Sequence, residues 1–339
     1  MSPDLITSPA QLPPRLGPQL EKIGPAAAAF AMRISDHFAA LLQRYGDPLA
    51  RQVIPDPAEL DDPRSDSDPL AEEAHSPAPL IIHRYPGRVV FLVSNRCAIH
   101  CRFCMRKRKV GPGERIDPQS MASGLDYIRR TPQISEVILS GGDPLMLPDG
   151  ELIDILVALK SIAHIRILRL HTRIPGAWPR RVTPALARAL AQFHPLLINI
   201  HFNHPDEITP EASRACARLA DAGLPLGSQT VLLKGINDEA RILQVLLERL
   251  LAIRVRPYYL HQVDRVAGSA HFLVPIDKGL RLMAALQGRL SGIAMPHFMI
   301  DLPAGGGKME LLPQAIIDKS SDHWMIRNFE GRAVRYPLY

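Results

Sequence analysis

Ser94-Asn95-Arg96-Cys97-Ala98-Ile99-His100-Cys101-Arg102-Phe103-Cys104-Met105-Arg106 is the stretch on which the fold turns. It follows a short apolar run, residues 89–93, that reads as a buried strand. Three thiolates spaced C-x3-C-x2-C can wrap one face of a cubane 4Fe–4S cluster and leave one iron without a protein ligand. A structural zinc site or an ordinary cluster would want a fourth ligand close by. His100 is the nearest candidate, but it lies between two ligands, where geometry disfavours it.

Outward from the cysteines the chain alternates. Apolar, β-branched runs recur at 89–93, 137–139, 165–170, 196–200, 224–233, 255–260 and 297–300. Helical periodicity fills the gaps, at about 118–131, 150–162, 183–193, 209–222, 237–252 and 277–290. Such alternation predicts an α/β fold with a parallel sheet, either doubly wound or a full or partial (β/α) barrel. Polar residues at the C-terminal end of nearly every run favour the barrel, whose active site is built at that face. They are Cys97, then Ser140-Gly141-Gly142-Asp143, His171-Thr172-Arg173, His201 and His204, Gln229 within its run, Asp264, and Asp301. A doubly wound sheet would gather them near one switch point.

The flanks read differently. Residues 1–78 are rich in Pro, Ala and Asp and form an N-terminal helical or irregular extension. Within it, 20–45 carries helical spacing that stops at Gly46-Asp47-Pro48, and 56–79 reads as an irregular wrap or linker. The barrel core is assigned to 79–310, and 311–339 to a short C-terminal segment closing the cofactor side. No repeat of the solenoid kind is visible.

Composition sets bounds. The 339 residues carry a formal charge of +6 and are 46% hydrophobic, enough for a sizeable core. The mildly basic pI near 9.3 fits a solvated surface with a few anionic ligands better than a nucleic-acid surface. No apolar run approaches the ~18 residues of a membrane span, and the N-terminus lacks the pattern of a secretory signal. Four cysteines in a chain this long make no disulfide framework, and three of them clustered favour metal or redox chemistry in a cytoplasmic setting. Cys216, in a helical run, reads as a buried inert thiol.

Two further segments carry chemistry. Asp301-Leu302-Pro303-Ala304-Gly305-Gly306-Gly307-Lys308 is not a phosphate-binding P-loop, since its spacing is wrong and Met309 follows the lysine. A lysine on a glycine tether suits reversible imine chemistry of the kind pyridoxal 5′-phosphate (PLP) requires, although a flexible loop with an exposed lysine would look the same. Arg84, Tyr85 and Arg88, just before the first run, could anchor a phosphate, or could be surface charge with a packing aromatic.

Taken together, these motifs closely resemble the lysine 2,3-aminomutase family of radical S-adenosylmethionine (SAM) enzymes. The likeness runs from 62 to 330. It rests on H-R-Y-P-G-R-V, C-A-I-H-C-R-F-C-M-R, S-G-G-D-P-L, H-T-R-I-P, H-F-N-H-P-D-E-I-T, V-L-L-K-G-I-N-D, R-V-R-P-Y-Y-L, G-G-G-K and R-N-F-E-G. The resemblance implies a partial (β/α)6-type TIM barrel and an isomerase that interconverts L-lysine and β-lysine with a 4Fe–4S cluster, SAM and PLP. By position it gives Cys97, Cys101 and Cys104 the cluster, and Lys308 the covalent hold on PLP. Arg84, Tyr85 and Arg88 match the PLP phosphate region. Ser140, Gly141, Gly142, Asp143, His201 and Gln229 fall around SAM. Arg106 matches the group that grips the substrate carboxylate, and Asp264 and Asp301 the pair that holds its ε-ammonium. Two buried acids want a cation, which argues for lysine over glutamate. With Arg106 so assigned, Lys107, Arg108 and Lys109 are expected to form a solvated edge. The resemblance also implies a reductant such as flavodoxin or ferredoxin, and no nucleic-acid or membrane partner. A cysteine-rich zinc-binding tail of longer members has no counterpart here, so no zinc is expected, and a homo-oligomer is left open. A short relative serving elongation factor P modification, or a mutase for glutamate or arginine, are the alternatives.

Overall fold

The computed structural model describes residues 5–12, 17–62, 66–111, 116–312, 314–328 and 330–338. Its centre is a nine-stranded sheet in the order β11-β10-β9-β8-β7-β6-β5-β4-β3. Strand β3 (Ile81–Tyr85) turns at Pro86-Gly87 into β4 (Arg88–Ser94) as an antiparallel hairpin. From β4 the strands are parallel, each beside its predecessor: β5 (Glu136–Gly141), β6 (Ile167–Thr172), β7 (Leu196–His201), β8 (Leu226–Leu232), β9 (Arg256–Gln262) and β10 (His297–Leu302). Strand β11 (Gly307–Glu310) folds back antiparallel on β10.

The crossovers are helical: α4 (Pro118–Arg130), α5 (Asp149–Lys160), the short α6 (Ile174–Ala177) with α7 (Pro184–Leu190), α8 (Pro210–Asp221), α9 (Ala240–Ala252) and α10 (Ile276–Leu286). That is the expected partial barrel of six β/α units, with β10 as a seventh parallel strand. Three of the helices begin on the same local chemistry. Asp117, Thr183 and Thr209 each accept a backbone N–H of the first turn, and a proline follows at the first helical position, where its missing N–H costs nothing. Helix α8 then buries Ala212, Ala215, Cys216 and Leu219, one apolar stripe that fits Cys216 as an inert core thiol. All but β8 of the parallel strands run one or two residues past their apolar runs, so Ser140, His171, Thr172, His201 and Asp301 lie within strands.

The N-terminal region shares the barrel's core. Ile34, Phe38 and Leu42 belong to the same buried cluster as Ile174 and Phe202, and Ser35 Oγ donates to Ala177 O. The single helix expected over 20–45 is two, α1 (Gly17–Ala29) and α2 (Asp36–Tyr45), followed by the short α3 (Asp47–Ala50). Between α1 and α2 lies β2 (Ile34–Ser35), paired with β1 (Leu5–Ile6). Tertiary hydrogen bonds override helical spacing here. Arg102 takes the carbonyls of Phe30 and Ala31, His100 N–H takes that of Arg33, and those carbonyls are lost to any helix.

Beyond residue 311, β12 (Ile316–Lys319), β13 (His323–Arg327) and β14 (Ala333–Pro337) pair antiparallel with one another in a separate, largely exposed sheet. No helix among the described residues is long and apolar enough to cross a membrane.

Candidate active site

The C-terminal ends of the parallel strands surround a cavity of about 500 Å³. Cys97, Cys101 and Cys104 line one side, Lys308 and Asp301 the other, and Arg106, His201, Gln229 and Asp264 lie around it. Arg84, Tyr85, Arg88, Ser140, Gly141, Gly142 and Asp143 also reach it, so one mouth gathers every residue given a cluster, cofactor or substrate role from the sequence, while His204 lies outside it.

The cysteine loop is fixed by backbone. Gly142 N–H donates to Ser94 O at 2.5 Å and Asp143 N–H to Arg96 O at 2.7 Å. A Cβ on Gly141 would stand 2.3 Å from Ser94 O, and one on Gly142 2.4 Å from Arg96 O. The two glycines are therefore required by the cysteine loop itself, a closer neighbour than the ligand for which the sequence suggested them. The Asp143 carboxylate accepts from Thr172 Oγ1 (2.8 Å) and from the N–H groups of Arg173 (2.7 Å) and Leu145 (3.0 Å). Burial still raises its pKa to about 6. With the carboxylate so committed, this segment faces the cavity mainly with backbone.

The thiols are unpaired. Burial first, then neighbouring negative charge, raises Cys97 and Cys104, Cys104 to about 11. Among the described residues no three Cys, His, Asp or Glu side chains converge on a single-ion site. A cubane asks for something else, one thiolate on each of three corners, and the donor set fits it. Arg173 brings Nη1 to 2.7 Å of Cys101 Sγ and is itself held by Glu207 at 3.0 Å and by Gln52. His100 points away, to Ala31 O. His201 is kept neutral by burial, which lowers it to about 3, and bonds Asn203 at 2.9 Å.

The opposite wall crosses the open seam of the sheet. Lys308 lies on β11 directly across from Asp301 on β10, and the two side chains form an ion pair. The amine is thus presented by a strand, where the sequence suggested a loose tether. Its Nζ is 3.3 Å from His261 Nδ1, and its backbone N–H donates to Tyr85 Oη at 2.7 Å. Arg84 Nη1 stands 3.9 Å from Asp301, Arg88 stacks over the Tyr85 ring at 4.0 Å, and the buried Arg84 Nε has no partner among the described residues. An orphaned guanidinium N–H beside a lysine fits a phosphorylated carbonyl cofactor such as PLP.

Among the described residues nothing hydrogen-bonds or ion-pairs with the Asp264 carboxylate. Burial first, then Asp301, raises it to about 7. Arg106 meets Glu72, a residue the sequence left in the linker. Lys107, Arg108 and Lys109 are no solvated edge either. Lys107 donates to Arg102 O and covers the Phe30 ring, Arg108 pairs Asp68 at 2.8 Å, and Lys109 pairs Glu73 at 3.0 Å. Glu72, Tyr259 and His261 are among the cavity residues given no role from the sequence, since apolar periodicity says nothing about them.

Fold and site together define a radical SAM protein, a class that uses S-adenosylmethionine, and residues 91–245 match the family model described as the Radical SAM superfamily. Residues 283–338 match the model described as Lysine-2,3-aminomutase. L-lysine 2,3-aminomutase of Clostridium subterminale is 42% identical over 325 residues, 93% of this chain and 77% of that one. Glutamate 2,3-aminomutase of Clostridioides difficile is 41% identical, over 93% and 75%. L-lysine 2,3-aminomutase of Escherichia coli is 37% identical, over 91% and 92%. The chain belongs to the lysine 2,3-aminomutase family, whose members are isomerases.

Proposed function

We propose that this chain interconverts L-lysine and β-lysine, using SAM on a 4Fe–4S cluster held by Cys97, Cys101 and Cys104, and PLP held by Lys308. When bound, the cluster and SAM supply a radical that removes a substrate hydrogen, and PLP supplies a carbonyl that carries the migrating amino group. The chain's own residues supply orientation and exclude water. Arg84, Tyr85 and Arg88 receive the phosphate. Ser140 through Asp143, His201 and Gln229 surround SAM. Arg106 takes the substrate carboxylate through its planar fork.

The observation that carries the choice of lysine is the acid pair. Asp301 now has Lys308 as its close cation, with Arg84 farther off. Were Lys308 to hold PLP, Asp301 would be without its close cation, beside an Asp264 carboxylate that has no hydrogen bond or ion pair among the described residues. A substrate ε-ammonium restores the balance, whereas a glutamate side chain would add a third negative charge. The identity to a glutamate mutase is nearly as high as to a lysine mutase, so these positions, not overall similarity, support the substrate. A reducing cytoplasm and a one-electron donor such as flavodoxin or ferredoxin complete the proposal, with 79–310 as the catalytic core.

The test is anaerobic incubation of the reconstituted protein with SAM, PLP, a reductant and one amino acid at a time, followed by amino-acid analysis. β-Lysine from L-lysine is the expected product. Conversion of glutamate or arginine in its place would overturn the assignment.

A further inference from the structure

Glu72 belongs to no motif, yet its carboxylate is only 2% exposed and sits edge-on against Arg106. It accepts from Arg106 Nε at 2.9 Å and from Nη2 at 2.6 Å. Arg108 approaches from the other side at 3.6 Å. The carboxylate is not free to follow the guanidinium. Glu72 N–H is capped by Asp68 Oδ1 at 2.9 Å, and Glu72 O accepts from Ser76 Oγ at 2.7 Å. Its flank is tied to the cofactor wall, since Arg84 donates to Leu70 O and Ala304 N–H to Pro69 O.

A guanidinium is a rigid plane with five N–H groups. Glu72 consumes the Nε–Nη2 edge. Among the described residues the remaining nitrogen, Nη1, has only a 3.4 Å contact with Ser140 Oγ at the cavity wall. An arginine without such a partner would spread its long side chain over several rotamers, and its fork would meet a carboxylate only part of the time.

We propose that Glu72 is the positioning residue for recognition of the amino acid's α-carboxylate, clamping one edge of Arg106 so that its Nη1 side faces the substrate. The proposal rests on Arg106 binding that carboxylate. The opposite role, a placeholder that substrate must displace from Arg106, predicts effects of opposite sign.

The experiment compares L-lysine with L-lysinamide, which lacks the carboxylate charge, in the reconstituted wild type and in Glu72→Gln, Glu72→Asp and Arg106→Lys. Iron, PLP content and melting temperature are measured in each. Glu72→Gln is expected to raise KM for lysine about tenfold, the worth of roughly one well-aligned charge-assisted contact. Its kcat should change much less, and the preference for lysine over the amide should shrink with cofactor content unchanged. A KM that falls, or a preference that stays as in the wild type, would overturn the clamp. If Glu72→Gln loses iron or PLP, Glu72→Asp decides: it keeps the charge but withdraws it from the Arg106 edge, so the same loss of preference supports the proposal and an intact preference overturns it. Arg106→Lys separates the two levels. If it leaves the preference untouched, the assignment of Arg106 itself fails. If it abolishes the preference while the Glu72 variants do not, only the clamp fails.

Discussion

The two walls of the cavity are built from different materials. The cysteine wall is backbone against backbone, with Gly141 and Gly142 pressed on Ser94 and Arg96 and Asp143 spent on the next strand's end. The lysine wall is side chain against side chain, with Lys308, Asp301, His261, Tyr85 and Arg84 meeting across an unpaired sheet edge. Backbone contacts of that kind admit no rearrangement, whereas an ion pair can trade partners. The first suits a cluster that stays in one place through many turnovers. The second suits an amine that must leave one partner for another and come back.

Gly142→Ala tests the rigid wall and has the largest expected effect. Its Cβ would meet Arg96 O at 2.4 Å and Arg96 N at 2.7 Å, both backbone, so the cysteine loop must move. The expected cost is about 3 kcal/mol or more, with most iron and all measurable turnover lost. Full iron content by chemical assay would break the comparison.

Lys308→Ala should act on the other wall alone. PLP absorbance should vanish after gel filtration while iron content holds, and turnover should fall on the order of 10³-fold, about 4 kcal/mol of barrier. Iron lost along with PLP would mean the walls are not independent.

Asp264→Asn comes next, at roughly 30–100-fold in kcat/KM for lysine, about 2–3 kcal/mol for one partner of a buried charge pair. Its pKa of about 7 adds a sign. Below that pH the carboxyl is protonated and cannot hold an ammonium, so kcat/KM should rise with pH through about 7 and then level off. The Asn variant should lack that rise. A rise that survives the substitution would remove Asp264 from substrate binding.

Tyr85→Phe is the mildest. It deletes the acceptor of the Lys308 N–H, worth about 1 kcal/mol, and should weaken PLP retention about fivefold with the cluster untouched.

Much of the rigid wall was legible in the sequence, because its determinants are local: a strand, a cysteine spacing, a glycine pair. Glycine's meaning was only half visible, since Gly141 and Gly142 meet backbone from more than 40 residues earlier in the chain, which no spacing rule encodes. The seam was legible in part, through the lysine beside its glycines and the Arg84–Arg88 cluster, but its acid pair was legible only through family resemblance. Its contacts join the two ends of the sheet, and the Asp301–Lys308 pairing needs a β-turn that a run of glycines disguises as a tether. Glu72 was invisible for the same reason: it meets Arg106 across an irregular segment without periodicity. The division of 20–45 into two helices was likewise set by distant partners, Arg102 and His100.

The bond from Lys308 N–H to Tyr85 Oη joins residues 223 apart. Closing so long a loop is not in itself forbidding, since each doubling of length adds only about 0.6 kcal/mol. Tyr85 ends the first strand of the sheet and Lys308 sits on the last, so the bond bridges the seam between the sheet's two ends. The lysine's backbone is therefore held by a contact that belongs to the assembled barrel, and a barrel missing either end strand would lack it.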